Sequence, residues 1–249
     1  MGIPISVVIL TYNSELYLEE VLKSVEFAEE VIIYDNGSKD QTLSIARQFP
    51  NVSIYFDPNW EGFGKQKQKG VEKARNDWVL VLDSDEVVTS QLRQELEQLF
   101  PTPPKDGYYL PRLNNFFGKW VRYGGFYPDW VLRLFNRRKC RFTFRPVHER
   151  VECPTGKIGR LKGEIHHYAY RTIGEFIAKQ NRYSEIGAKF RPVKAIFAPI
   201  WTFLKIYLIR LGFLEGWTGF LLALLYSQYT FWKYVKGKEE ERKNPKKEE

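Results

Sequence analysis

The sequence predicts an α/β fold: a mostly parallel sheet flanked by helices, with an apolar helical extension towards the carboxyl end. Three observations predict it. Short runs rich in Val, Ile, Leu and aromatics at 5–10, 31–34, 52–56 and 78–82 read as buried strands. Helix-like stretches separate them, and strands alternating with helices imply a parallel sheet covered on both faces. Beyond Lys194 the composition turns markedly apolar.

The first strand, 5–10, runs into Thr11-Tyr12-Asn13. A helix is expected over 14–27, where Leu16, Leu18, Val21, Leu22 and Val25 form one apolar face. The second strand, 31–34, stops at Asp35-Asn36-Gly37-Ser38, and a helix over 42–49 leads to the third strand at 52–56. Gly62-Phe63-Gly64-Lys65-Gln66-Lys67 then opens a helix over 65–75. The fourth strand ends abruptly in Asp83-Ser84-Asp85-Glu86, before a helix expected over 87–100 with Thr89 or Ser90 as its N-cap. Pro101-Thr102-Pro103-Pro104 cannot continue that helix and marks a boundary. Strands at 108–113 and 130–135 follow, then a loop-rich basic region to His167 and a helical pattern from Thr172.

Ligands of such sheets gather at the carboxyl ends of the strands, where these polar motifs fall. Asp83 and Asp85 stand where an apolar strand stops, which lifts both carboxylates to the rim. Hard oxygen ligands there suit Mg²⁺ or Mn²⁺ bridging to a diphosphate; a solvated turn capping the next helix has the same appearance. Asp35 either accepts a hydrogen bond from a nucleobase or closes an Asx turn. The Gly62-Phe63-Gly64 loop lets backbone approach a nucleotide, with Lys65 or Lys67 in reach of phosphate.

The order of these four motifs resembles glycosyltransferase family 2 and its GT-A fold. The likeness covers residues 3 to about 90 strongly. Further on, Gly124-Gly125-Phe126-Tyr127-Pro128-Asp129, Arg133-Leu134-Phe135, Val147-His148-Glu149, His167-Tyr168 and Gly212-Phe213-Leu214-Glu215-Gly216-Trp217 resemble a subgroup that includes lipopolysaccharide core β-1,4-glucosyltransferases. Glu215 and Thr218 depart from it, standing where Asp and Pro are expected. The resemblance implies an inverting transferase that uses a UDP-sugar, UDP-glucose first, on a lipopolysaccharide-core or related glycolipid or oligosaccharide acceptor. It implies a nucleotide-sugar set of Thr11, Tyr12, Asn13, Asp35, Gly62, Lys65, Lys67, Asp83 and Ser84. Asp85 would hold the metal, Asp83 the ribose or the metal, and His167 the metal or the diphosphate; a structural role for His167 is equally open. A general base must take the acceptor proton. Of the acidic residues in 107–170, Val-His-Glu makes Glu149 the first choice and Asp129 the second, unless either is an arginine partner, with Arg133 and Arg145 the candidates. The alternative function is a non-catalytic nucleotide- or glycolipid-binding protein on the same fold.

Charge is unevenly distributed. Residues 1–110 hold ten Lys and Arg against eighteen Asp and Glu, whereas 111–210 hold twenty-one against six. The basic block suits a phosphorylated glycolipid or an anionic membrane; no nucleic-acid-binding module is legible, and nucleic acid is not expected as a partner. The apolar runs at 195–211 and 216–232 are interrupted or flanked by charges, which suits helices lying in a membrane surface better than a span; a hairpin packed on the protein's own core or on a second subunit is the other reading. Phe197, Trp201, Phe203, Leu204, Tyr207 and Leu208 would supply the apolar face, with Lys194, Lys205 and Arg210 meeting headgroups. Cys140 and Cys153 do not form a disulfide framework, and a reducing cytoplasm is the simpler setting. The amino terminus runs straight into a strand without a secretory-signal pattern. The expected location is thus cytoplasmic, peripheral on the cytoplasmic face of the inner membrane. The expected organisation is a nucleotide-sugar-binding half over 1–110, an acceptor and catalytic half over 111–190, apolar helices over 191–235 and a disordered charged tail over 236–249.

Overall fold

A computed structural model describes residues 2–100, 102–143, 150–185, 188 and 190–238. The chain divides into two compact units that alternate along the sequence. One comprises Met1–Arg112 and Asp129–His167, the other Leu113–Pro128 and Tyr168–Glu249.

In the first unit, β1 (Ile3–Thr11), α1 (Leu18–Ser24), β2 (Ala28–Asp35), α2 (Thr42–Ala46), β3 (Val52–Phe56), α3 (Phe63–Glu72) and β4 (Trp78–Asp83) alternate as the sequence predicts. β5 (Glu86–Val88) and α4 (Ser90–Leu99) follow, leading to β6 (Gly107–Phe116). β7 (Lys119–Val121) belongs to the second unit, before β8 (Asp129–Asn136), β9 (Arg141–Phe142), β10 (Val151–Glu152), β11 (Ile158–Arg160) and β12 (Ile165–Tyr170). The main sheet runs β3-β2-β1-β4-β8-β6-β12-β5. Its first four strands are mutually parallel, and β8 joins them antiparallel to β4. Ile5, Ile9, Ile33, Leu80 and Leu82 are wholly buried beneath α1 and α4, which is why these strands read as continuous apolar runs.

Several boundaries differ from expectation. The helix expected over 14–27 is confined to Leu18–Ser24, and Leu16, assigned to its apolar face, is 56% exposed. Its predicted first turn is tied elsewhere: the Asn13, Ser14 and Glu15 amides donate to Ser38 Oγ, Thr42 Oγ1 and Asp40 Oδ2. Residues 86–88 form β5 rather than helix because they pair antiparallel with β12, Val88 opposite Ile165. The helix begins only after Thr89, whose hydroxyl accepts the Leu92 N–H at 3.2 Å. The region expected to be loop up to His167 contains the β9–β10 hairpin, β11 and the first half of β12. Cys140 and Cys153 form a disulfide across the base of that hairpin, contrary to the expectation of unpaired cysteines.

In the second unit β7 pairs with the end of β6, Asn114 opposite Val121. α5 (Ile173–Glu185), α6 (Pro192–Leu204) and α7 (Trp217–Val235) follow. Pro192 occupies the start of α6, where its missing N–H costs nothing. α6 continues as a π-helical segment, Lys205–Ile209, and a 3₁₀ turn, Gly212–Glu215, leads into α7. Phe116, Val121, Phe176, Leu222 and Leu225 form the unit's core. Of the expected charged tail, residues 239–249 lie outside the described residues. Lys236 is held, its Nζ donating to the Asn181 carbonyl and side chain.

Candidate active site

Strand register brings the motif residues to one rim of the first unit's sheet. Thr11 lies opposite Asp35, and Leu10 opposite Asp83, so β1, β2 and β4 end together. Asp35 is fully buried and heavily committed. Its Oδ1 accepts the Gly37 and Ser38 amides at 3.0 and 2.9 Å; its Oδ2 accepts the Thr11 hydroxyl at 2.8 Å and the Ser38 hydroxyl. The Asx turn is therefore present. Asn13 adopts a positive φ of 49° and accepts the Lys39 amide, joining the two loops, while Tyr12 projects into solvent.

Gly62, at φ 97°, begins α3 in a conformation that disfavours any side chain. Lys65 points outward beside Glu61, but Lys67 is buried and its Nζ lies 2.7 Å from Asp83 Oδ1. Arg133, from the middle of β8, bonds to Asp83 Oδ2 and reaches Glu86 Oε1 at 2.7 Å. Glu86 is wholly buried; it also accepts the Asp83 amide at 2.9 Å and the Arg112 guanidinium at 2.8 Å. Arg112 in turn grips Asp129 Oδ2 through Nε at 3.0 Å and Nη2 at 2.6 Å. One ionic chain thus links Lys67, Asp83, Arg133, Glu86, Arg112 and Asp129.

Burial alone would raise the Asp83 carboxyl, but Arg133 and Lys67 overcome it and hold the group well below the usual carboxylate range. Glu86 is likewise lowered against its burial, chiefly by Arg133 with help from Arg112. The reciprocal attraction of Asp83 and Glu86 raises Arg133 despite its burial. Asp83, Glu86 and Arg133 stay charged at neutral pH.

Ser84 sits in the turn between β4 and β5, and Asp85 beside it stays outside the chain of pairs. Its Oδ2 lies 3.7 Å from His167 Nε2, and it is 37% exposed. The carboxylate is a hard oxygen donor suited to Mg²⁺ or Mn²⁺, ions that take few protein carboxylates and complete their shell with phosphate and water; the imidazole beside it suits Mn²⁺ of the two. Asp83 is a poorer ligand in this arrangement, since each of its oxygens already faces a cation. No group of three or more His, Cys, Asp or Glu converges among the described residues. Glu149, the first candidate base, lies outside them, as does Arg145. Asp129 is an arginine partner, but of Arg112, whereas Arg133 serves Asp83 and Glu86. Sequence reasoning assigned no role to Glu86 or Arg112. The available signal was a single charge within an otherwise apolar strand, at Arg112 and at Arg133, because a buried charge demands a partner.

Residues 6–161 match the profile described as glycosyl transferase family 2. The chain belongs to this family. The glycosyltransferase is 29% identical over 249 residues to the lipopolysaccharide core biosynthesis glycosyltransferase LpsC of Rhizobium meliloti, covering 92% of this chain and 90% of the relative. It is 30% identical over 259 residues to an uncharacterized glycosyltransferase of Rickettsia typhi, covering 94% and 87%. Among solved structures, the mannosyltransferase PcManGT of Pyrobaculum calidifontis, in complex with GDP-Man and Mn²⁺, superposes with a TM-score of 0.54 at 14% identity, covering 99% of this chain and 89% of that one. S. aureus TarS 1–349 in complex with UDP gives 0.50 at 17% identity, covering 100% and 93%. The glycosyltransferase has the GT-A fold of these neighbours.

Proposed function

We propose that this glycosyltransferase transfers glucose, with inversion, from UDP-glucose to a lipopolysaccharide-core or related glycolipid, working at the cytoplasmic face of the inner membrane. The likeness to LpsC along nearly the whole of both chains supports the acceptor class. The observation that carries the chemistry is the rim itself: Asp85 and His167 stand beside an Asp83 already neutralised by Lys67 and Arg133. An anionic diphosphate approaching this rim meets compensated carboxylates instead of an uncompensated cluster. In this reading Asp85 and His167 hold Mg²⁺ or Mn²⁺, which when bound would neutralise charge on the departing diphosphate. Asp83 orients the ribose and Ser84 lines the turn beside it. Thr11, Tyr12, Asn13 and Gly62 bring the nucleotide loops together, with Lys65 near the phosphates. Asp35 accepts the uracil N3–H only after the Ser38 hydroxyl turns away from Oδ2.

Glu149 takes the proton from the acceptor hydroxyl as the new bond forms. Asp129 is the second candidate, because its Oδ2 is already engaged by both Nε and Nη2 of Arg112. The test is UDP release from a panel of UDP-sugars with a core-oligosaccharide acceptor, alongside thermal protection by each sugar nucleotide in Mn²⁺. UDP-glucose is expected to give both the fastest acceptor-dependent release and the largest protection. A protein that binds a UDP-sugar but never releases UDP is a non-catalytic binder, and the proposal fails.

A further inference from the structure

The second unit presents an apolar stripe with a distinctive charge pattern. On α6 and its π-helical continuation, Val193, Ile196, Phe197, Ile200, Trp201, Leu204 and Leu208 are all exposed, Phe197 by 66% and Trp201 by 58%. Their spacing of three and four residues puts them along one face of the helix. Phe213, Leu214 and Trp217, the last 73% exposed, carry apolar surface around the following turn. Phe203 and Tyr207 do not belong to the stripe; their rings pack on Phe220 at 5.7 and 5.9 Å.

Between residues 190 and 238 the sequence contains seven Lys and Arg and one acidic residue, Glu215. Glu215 is turned inward. Its Oε1 accepts the Arg122 and Tyr123 amides at 2.7 and 2.9 Å, and its Oε2 pairs with Lys119 at 2.9 Å. Arg191, Lys194 and Arg210 remain exposed around the stripe. The surface is therefore apolar, edged by cations and free of exposed carboxylates among its described residues.

We infer that this face adsorbs in the plane of an anionic lipid surface, with the α6 stripe and Trp217 entering the headgroup–acyl boundary. The inference rests on the proposed membrane site of action and specifies its contact surface and lipid chemistry. A second copy is the poorer occupant, because a two-fold contact would set these cations against themselves. A span is the poorer reading. Pro192–Ile209, α6 with its π-helical continuation, is 18 residues long with a mean hydropathy of 1.4, just enough to cross about 30 Å of hydrocarbon. Lys205 interrupts it, however, and α7, which packs on Phe116, Val121 and Phe176 within its own unit, is bonded to it through Ser227 Oγ and the Pro199 carbonyl. In-plane adsorption needs only one apolar face and uses flanking cations to meet acidic headgroups.

The test is co-sedimentation of the full chain with vesicles of phosphatidylcholine alone or mixed with phosphatidylglycerol. Binding is expected to the mixed vesicles, to weaken with salt without vanishing, and to be released by alkaline carbonate. The triple variant Phe197→Ser, Trp201→Ser, Leu208→Ser should stay in the supernatant. Arg191→Glu with Lys194→Glu should lower partitioning by about tenfold or more. Both variants should keep wild-type turnover on a soluble acceptor oligosaccharide, which reports that they fold. An intact protein that ignores mixed vesicles, undiminished binding by the triple variant, or retention after carbonate would overturn the inference. Turnover on the soluble acceptor would still stand as evidence for the transferase reading. Loss of that turnover in the wild type would instead sink the functional proposal and leave the lipid measurement intact.

Discussion

Asp83 and Asp85 are one residue apart, yet their substitution should have different physical consequences. Among the described residues Asp85 faces His167 at 3.7 Å and lies outside the buried ionic chain, so Asp85→Ala should abolish metal-dependent turnover with little change in melting temperature. Asp83→Ala removes the carboxylate shared by the buried cations of Lys67 and Arg133, and should lower stability by about 3 kcal/mol as well as activity, measured by urea unfolding. Equal stability losses in the two variants would contradict this division. Glu86→Gln preserves shape but removes the charge shared by two arginines. Because the Glu86 and Asp83 carboxyls titrate below their unfolded values, their contribution is complete above the ordinary carboxylate range. It is lost as pH falls from the ordinary carboxylate range through the depressed folded values. Acid unfolding of Glu86→Gln should accordingly show a shallower slope in that window than the wild type. The base is tested separately. Glu149→Gln should lower turnover by about 10²-fold or more with donor affinity little changed, whereas Asp129→Asn should mainly loosen Arg112. If Asp129→Asn alone shows the large loss, the roles are exchanged.

At the scale of elements, the strands were the most legible part of the chain, because burial on both faces leaves continuous apolar runs that no turn residue interrupts. The helices were less so. Leu16 lies off the three- and four-residue spacing that joins Leu18, Val21, Leu22 and Val25, and the Asn13, Ser14 and Glu15 amides are bound by the side chains of Ser38, Thr42 and Asp40, more than twenty residues away in sequence. β5 was read as helix for a similar reason: its partner, β12, comes some eighty residues later. In the site, the rim motifs were legible because an apolar strand stopping at a carboxylate is a local signal. The ionic chain through Glu86 and Arg112 was not, since it depends on the lateral order of β4, β8 and β6. One element-scale prediction concerns α7. A methyl group at Gly219 would come 1.8 Å from the Gly212 carbonyl oxygen, so Gly219→Ala should destabilise the protein by about 2 kcal/mol or more. Helix propensity alone predicts a gain of about 1 kcal/mol, and a stabilised variant in urea unfolding would show that the turn relaxes.

For the whole molecule, the division of the chain matters more than its overall charge of +8. The polypeptide leaves the first unit after Arg112, returns at Asp129 and leaves again after His167. Phe116 and Val121, from the short excursion, share one apolar cluster with Phe176, Leu222 and Leu225 from the long one. Genetic exchange between relatives is constrained as a result. A single crossover near position 110 or 168 would combine the 113–128 segment of one parent with the α5–α7 partners of another, or divide it from the strands that flank it. Exchanging the second unit for that of a relative would require two segments, 113–128 and 168–238, to travel together. Chimaeras that carry only the carboxyl-terminal segment should be poorly soluble, and those that carry both should fold.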